Sequence, residues 1–244
     1  MLYLQCKKTG GLRNVLLGVL LCFSATGYAQ RDLNMEDHDY KAYYFGISLG
    51  FNRGSFHSEL HPSFLAQDSI LTAEPTWSAG FNLGLSATAR LTKRLELRFN
   101  PQLIFTERNI QYNLRYPEPI DNAYTVQKKV ESVITSFPFQ LRFLSDRIGN
   151  FRVYMMGGAK IDMDLASNAQ SRKADDMIKI GRMDYGVEAG IGFKFYYPSF
   201  ILAPEIKISN GQRNLHSRGE SLNYSRVLGD MRSRMVVFTI HLEG

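Results

Sequence analysis

Histidines, serines and charged residues are the side chains of this sequence that could do chemistry. His57 and His61 stand four residues apart with Glu59 between them, a spacing that on a helix would direct two imidazoles toward one metal ion. Pro62 follows and no third ligand is apparent, so we interpret the pair as polar loop residues. No serine can be grouped with a histidine and an acid from spacing alone.

A set of charged residues could in principle form a catalytic or transport site inside the protein. They are Glu96, Arg98, Arg142, Lys160, Asp162, Glu188, Lys194, Glu205 and Lys207. Opposite charges in a narrow interior are tolerated when they pair, so a structural plug is the simpler interpretation. We therefore predict no enzyme: no catalytic, cofactor-binding or metal-binding residue, and neither a small-molecule substrate nor a nucleic acid as ligand.

The elements that position these charges are stretches in which apolar and polar residues alternate, the period of a β-strand. In the first, Phe45, Ile47, Leu49 and Phe51 share one side. There are eight such stretches, at about 45–52, 80–90, 94–106, 133–143, 151–163, 184–195, 200–208 and 234–243. No charged residue interrupts any apolar side, as a lipid-facing surface requires, because Arg or Lys at mid-bilayer costs about 2–4 kcal/mol.

The connections alternate between long and short. Long segments cover 52–76, 107–132, 164–183 and 209–233, whereas the other three connections are short turns. This rhythm is typical of outer-membrane barrels, whose short turns face the periplasm. The sequence thus predicts an all-β fold, an eight-stranded antiparallel up-and-down transmembrane β-barrel, with both termini periplasmic and the long loops extracellular.

A soluble barrel or sandwich would show the same alternation with its apolar side turned inward. The composition of the polar side favours the membrane barrel. It mixes glycines with the long charged residues, as the narrow interior of an eight-stranded barrel requires. Pro101, Pro138 and Pro204 fall inside predicted strands, and there we expect a bulge or an edge.

The N-terminal residues predict export. Lys7, Lys8 and Arg13 precede a short apolar core, and Gly27 and Ala29 are the small residues that a signal peptidase reads. We predict a signal peptide at 1–29, a periplasmic lead at 30–42 and the barrel domain at 43–244. Cleavage removes three cations and lowers the formal net charge from +6 to +3, which is too mild to indicate nucleic acid binding.

Cys6 and Cys22 both lie in the predicted signal peptide. A lipoprotein anchor at Cys22 is disfavoured, since Leu21 stands where a small residue is needed. The mature chain would then contain no cysteine, which excludes disulfides and thiolate metal sites from it.

Several segments resemble the PorT family. They are "YYFGISLGFN" (43–52), "HPSFLAQDSIL" (61–71), "GFNLGLSATARLTKRLELRFNPQLIFTERN" (80–109), "SFPFQLRF" (136–143), "GGAKIDMDLAS" (157–167) and "PEIKISNG" (204–211). The resemblance implies an outer-membrane β-barrel that is required for the type IX secretion system, which exports proteins with a C-terminal secretion domain and supports gliding motility in related bacteria. It implies no catalytic residue and no cofactor.

An eight-stranded barrel filled with side chains has no lumen for a folded protein, so we expect an accessory, assembly or anchoring role rather than the pore. The expected partners are the outer-membrane lipid bilayer and other type IX secretion components. Two alternatives stay open: an outer-membrane barrel enzyme that modifies lipids, and an OmpA-like structural or adhesive barrel.

Overall fold

A computed structural model describes residues 33–61, 70–117, 123–166, 180–216 and 228–244 of the chain. The predicted signal peptide lies outside the described residues, as does the middle of each predicted long loop. No helix in the described ranges is long and apolar enough to cross a membrane.

Ten β-strands occur in the described part of the chain. They are β1 (Tyr43–Leu60), β2 (Ile70–Thr76), β3 (Ser78–Arg90), β4 (Leu95–Phe99), β5 (Gln102–Leu114), β6 (Thr125–Leu144), β7 (Phe151–Asp164), β8 (Met183–Tyr196), β9 (Ile201–Gly211) and β10 (Leu228–Glu243). A short 3-10 helix, Glu36–Tyr40, precedes them.

The strands close into a ring, because β1 pairs with β10 on one side and with β3 on the other. β2 and β3 both pair with β5, so these two strands together occupy one position in the ring. β4 and β5 both pair with β6, so they together occupy the next position. The remaining neighbours pair in sequence order, and all pairings among the described residues are antiparallel. The described strands therefore form an up-and-down ring of eight positions, which confirms the predicted fold class.

Alternation sets which side of each strand faces out. On β1, Phe45, Ile47, Leu49 and Phe51 are exposed, whereas Ser48 between them and Asn52 beside them are buried. The exposed apolar side of the ring is the surface that meets lipid. Inside, close packing requires glycine where a long side chain crosses: the ring of Tyr154 occupies the space into which a Cβ atom at position 192 would project.

Several strands are longer than the sequence predicts. β1 continues to Leu60, β6 begins at Thr125, β10 begins at Leu228, and β2 was not predicted at all. The segments 52–76, 107–132 and 209–233 are thus partly strand rather than wholly loop. Beyond the apolar band the outer side meets water, so the apolar alternation ends although the hydrogen-bonded ladder continues.

The prediction of a bulge or an edge at the three prolines is wrong. The third predicted strand is divided at Asn100-Pro101, yet β4 and β5 pair with β6 in one continuous register on either side of it. Pro138 and Pro204 lie within ladders that show no register shift. The carbonyls of Pro101 and Pro138 still accept backbone hydrogen bonds, so each ladder loses only a donor.

Candidate functional site

The interior collects the charged residues singled out in the sequence. All nine are buried. The structure adds five acidic or basic residues on the barrel strands that were not predicted from the sequence: Arg108, Asp164, Asp184, His241 and Glu243. They continue the same alternation on β5, β7, β8 and β10, so that alternation was the signal that could have found them.

At the end of the barrel with short turns, two carboxylates are surrounded by cations. Glu96 lies 2.9 Å from Arg142 and 3.2 Å from Lys194, and it accepts a hydrogen bond of 2.8 Å from the hydroxyl of Tyr44. Glu243 lies 2.8 Å from Arg142 and 3.1 Å from Lys194. Both cations are therefore shared between the same two acids.

A second group fills the middle of the interior. Arg98 and Glu205 form an ion pair of 2.5 Å in which neither side chain is exposed, and the hydroxyl of Tyr154 donates to Glu205 over 2.8 Å. Gln140 links this pair to Glu188, because its side chain accepts a hydrogen bond from Arg98 and donates one to Glu188. Lys207 completes the group, 3.1 Å from Glu188.

Toward the end with long connections the charges become fewer. Lys160 and Asp162 form an ion pair of 2.5 Å. Arg108 donates to Ser132 over 2.6 Å and lies 3.5 Å from Asp164. Beside this group is a small, partly open recess lined by Arg108, Ile134, Asp162, Asp164, Ile180, Gly181, Arg182, Asp184, Leu215 and Ser233.

Beyond Arg108 the interior is apolar. The guanidinium of Arg108 lies 4.6 Å from the ring centroid of Phe56, which belongs to a buried cluster. The cluster consists of Phe56, Ile70, Ala73, Ile110, Tyr112, Val130, Ile180, Leu215 and Met231. In the described residues, side chains thus fill the interior from the short turns to this apolar cap.

The N-terminal segment Asn34–Tyr40 docks against the short-turn end. Asp39 lies 2.9 Å from Arg147 and 3.5 Å from Arg152. The guanidinium of Arg147 lies 3.8 Å from the ring centroid of Tyr196 and donates to the carbonyl of Asn34. The contacts of Asn34 and Asp39 with Arg147 and Arg152 join residues more than a hundred positions apart, so sequence spacing gave no indication of them.

His38 is the buried centre of the docked segment. Its ring centroid lies 4.4 Å from that of Tyr44, and Arg90 donates to its backbone carbonyl over 2.7 Å. Burial lowers the pKa of His38 to about 4, and the nearby positive charge of Lys194 acts in the same direction. His38 is therefore neutral at pH 7.

The other candidates for chemistry stay apart. His57 lies on strand β1 rather than in a loop, and four residues along a strand span about 13 Å, so the helical metal-binding geometry does not apply to His57 and His61. No group of three or more His, Cys, Asp or Glu side chains suited to a metal ion occurs in the ranges that the structure describes.

A G-x-S-x-G match, not counted among the candidates above, covers Gly46 to Gly50. In hydrolases this motif places its serine on a sharp turn between a strand and a helix. Here Ser48 is buried in the middle of β1 and donates to Asn100 over 3.2 Å. The match therefore lacks the local structure that would expose a nucleophile.

Comparison with known proteins gives one family match. A model of the outer membrane protein β-barrel domain matches residues 28–217. No curated protein sequence matches the chain.

Among solved structures, Neisserial surface protein A is similar at 11% identity, covering 81% of this chain and 95% of that one, with a TM-score of 0.43. OprG from Pseudomonas aeruginosa is similar at 17% identity, covering 83% and 95%, with a TM-score of 0.45. Ail of Yersinia pestis is similar at 13% identity, covering 84% and 100%, with a TM-score of 0.40.

Proposed function

Because the chain belongs to the family of outer-membrane proteins with a β-barrel domain, we propose that it acts in that membrane as a non-enzymatic component of the type IX secretion system. In this role it is needed for export of proteins that carry a C-terminal secretion domain. The resemblance of six segments to the PorT family supports this assignment, and all six include residues of the described strands.

The single observation that most supports an accessory role is the filled interior. Ion pairs such as Arg98 with Glu205 occupy its middle, and the cluster around Phe56 and Tyr112 closes one end. A folded protein cannot pass through such a barrel. This supports a role in assembling or anchoring other secretion components rather than a role as their pore.

The proposed orientation places both termini and the short turns in the periplasm, with the long connections outside the cell. A signal peptide at 1–29 delivers the chain to the periplasm. In this orientation the docked segment Asn34–Tyr40 faces the periplasm, where Tyr40 is 87% exposed and available to a partner. The long connections provide a second contact surface on the other side.

A deletion strain tests the proposal. Loss of the protein should abolish export of a reporter protease that carries a C-terminal secretion domain, and expression of the intact chain should restore it. Crosslinking in intact cells should then recover other secretion components together with the barrel. Export that continues normally in the deletion strain would instead indicate a structural or adhesive barrel.

The enzyme alternative has its own test. Single alanine replacements of His57 and His61 should leave both export and the lipid composition of the outer membrane unchanged, since neither histidine has a predicted catalytic role. A changed lipid A or phospholipid profile in a folded variant would favour a lipid-modifying enzyme.

A further inference from the structure

The outer side of β1 and β10 changes from apolar to basic over a few residues. Along this side Phe51 faces Phe238, and the next pair outward is Arg53 with Val236. Arg234 and Arg232 follow on the same side of β10, and His57 lies directly opposite Arg232. We call Arg53, Arg232 and Arg234 the basic face.

Strand geometry places the basic face at the edge of the hydrocarbon layer. From Tyr43 to Phe51 the strand covers about 26 Å, which at a tilt of about 40° gives roughly 20 Å of height, close to the ~25 Å apolar band of such barrels. Arg53 lies two residues beyond Phe51, which is about 7 Å farther along the strand toward the long connections. Its long stem then carries the guanidinium into the headgroup region.

The three arginines are close neighbours in the sheet. Arg53 and Arg234 are diagonal neighbours on one side of the sheet, a relation that separates residues by about 7–8 Å. Arg232 lies 3.5 Å from Asp230. The side chains of Arg53 and Arg234 make no hydrogen bond or ion pair within the part of the chain that the structure describes. Like charges this close repel one another unless an anion lies between them.

Another sector of the described rim carries acidic residues as well as a cation. At the corresponding outward end of β5 and β6, Glu107 faces Glu131, and Lys129 lies 3.8 Å from Glu107. The barrel therefore does not simply carry a basic belt. One sector combines exposed aromatic residues, Phe51 and Phe238, with arginines immediately above them.

We propose that the basic face binds the phosphate groups of the glycolipid that forms the outer leaflet of the outer membrane. Arginine binds phosphate oxygens through paired N–H donors, and here two arginines have their donors uncommitted. The acyl chains of the same glycolipid would lie against Phe51 and Phe238. This assignment goes beyond the secretion role, and it rests on the orientation with the long connections outside.

Binding of lipid A to the full-length barrel in detergent micelles tests the proposal. Native mass spectrometry should detect a complex with bisphosphorylated lipid A and much less with dephosphorylated lipid A. The double variant R53A/R234A should bind at least about tenfold more weakly, because it loses two charge-assisted contacts. R53K/R234K should retain part of the affinity, and K129A, in the other sector, should bind as the unchanged protein does.

Each contrary result has a defined meaning. Equal binding of dephosphorylated lipid A, or unchanged binding by R53A/R234A, would overturn the site. If phosphatidylglycerol binds as tightly through the same arginines, the glycolipid assignment is wrong. Loss of a copurifying protein from R53A/R234A, with lipid A binding intact, would assign the face to a protein partner. Heat-dependent migration in gels shows that each variant is folded, and none of these readouts depends on the secretion phenotype.

Discussion

Glu205 shows most directly how single residues hold this interior together. Its carboxylate faces Arg98 at 2.5 Å, with neither side chain exposed, and it also accepts a hydrogen bond from Tyr154. A buried ion pair adds little net stability when intact, but removal of one partner leaves an uncompensated charge. Removal of one partner is therefore expected to cost far more stability than the intact ion pair adds.

We expect Glu205→Gln to lower the free energy of unfolding by about 3–5 kcal/mol, because Arg98 then lies buried without a carboxylate. Urea unfolding in phospholipid vesicles measures this change. The matched control is Arg94→Ala, which removes an exposed ion pair with Asp146 and should cost less than about 1 kcal/mol. Equal effects of the two variants would contradict the paired-charge interior.

His38 makes docking of the N-terminal segment depend on pH. In the docked segment its pKa is about 4, against an ordinary value of 6.5 when the segment is released. The docked form is fully stable above pH 6.5 and loses stability as the pH falls toward 4, because only the released imidazole then takes up a proton. Lys194, Glu243, Arg90 and Lys41 are the charged groups around it.

Hydrogen exchange of residues 34–40 should therefore speed up as the pH is lowered from 6.5 to 4, after correction for the intrinsic pH dependence of exchange. In His38→Phe, which keeps an aromatic ring beside that of Tyr44, this acid response should disappear. If His38→Phe responds to acid as strongly as the unchanged protein, another group controls docking.

At the scale of the elements, the sequence predicted much of the barrel because the membrane imposes a simple rule on each strand. Phe45, Ile47 and Leu49 must face lipid, so alternation alone assigns their side and that of their polar neighbours. The rule ends at the edge of the hydrocarbon. β2 and the outer half of β1 face water on one side, and their strand character was missed for that reason.

Contacts between distant elements could not be predicted from the sequence for a different reason. Asp39 meets Arg147 and Arg152 only because the ring brings the turn between β6 and β7 beneath the N-terminal segment. No local pattern encodes that meeting. The same holds for Glu243, whose partners Arg142 and Lys194 come from two other strands.

We expect Arg147 to hold the N-terminal segment Asn34–Tyr40 against the barrel. Arg147→Ala removes the ion pair with Asp39, the contact with the Tyr196 ring and the hydrogen bond to Asn34. We expect residues 34–40 to become sensitive to protease while the barrel keeps its heat-dependent migration. Arg94→Ala, on a neighbouring short turn, should leave the segment protected. A protected segment in Arg147→Ala would show that other contacts suffice.

For the whole molecule, the decisive property is which side of the sheet meets lipid. Leu85 is exposed near the middle of the apolar band, opposite Ile47. Leu85→Arg should destabilise the barrel in vesicles by about 2–4 kcal/mol, whereas Ala89→Arg, near the short turns, should cost only about 0–1 kcal/mol. Fluorescence of the single tryptophan, Trp77, reports unfolding of both variants. Equal costs would mean that this side does not face hydrocarbon.

The shared ion pairs near the short turns also make an unfinished barrel recognisable. Tyr44, Glu96, Arg142, Lys194 and Glu243 come from five different strands, and Glu243 arrives with the last of them. A molecule whose β10 has not yet joined β1 exposes Arg142 and Lys194 to a nonpolar medium with half their counter-charge missing. Incomplete assembly therefore carries the energetic cost of buried charges without their partners, and joining of the final strand removes that cost.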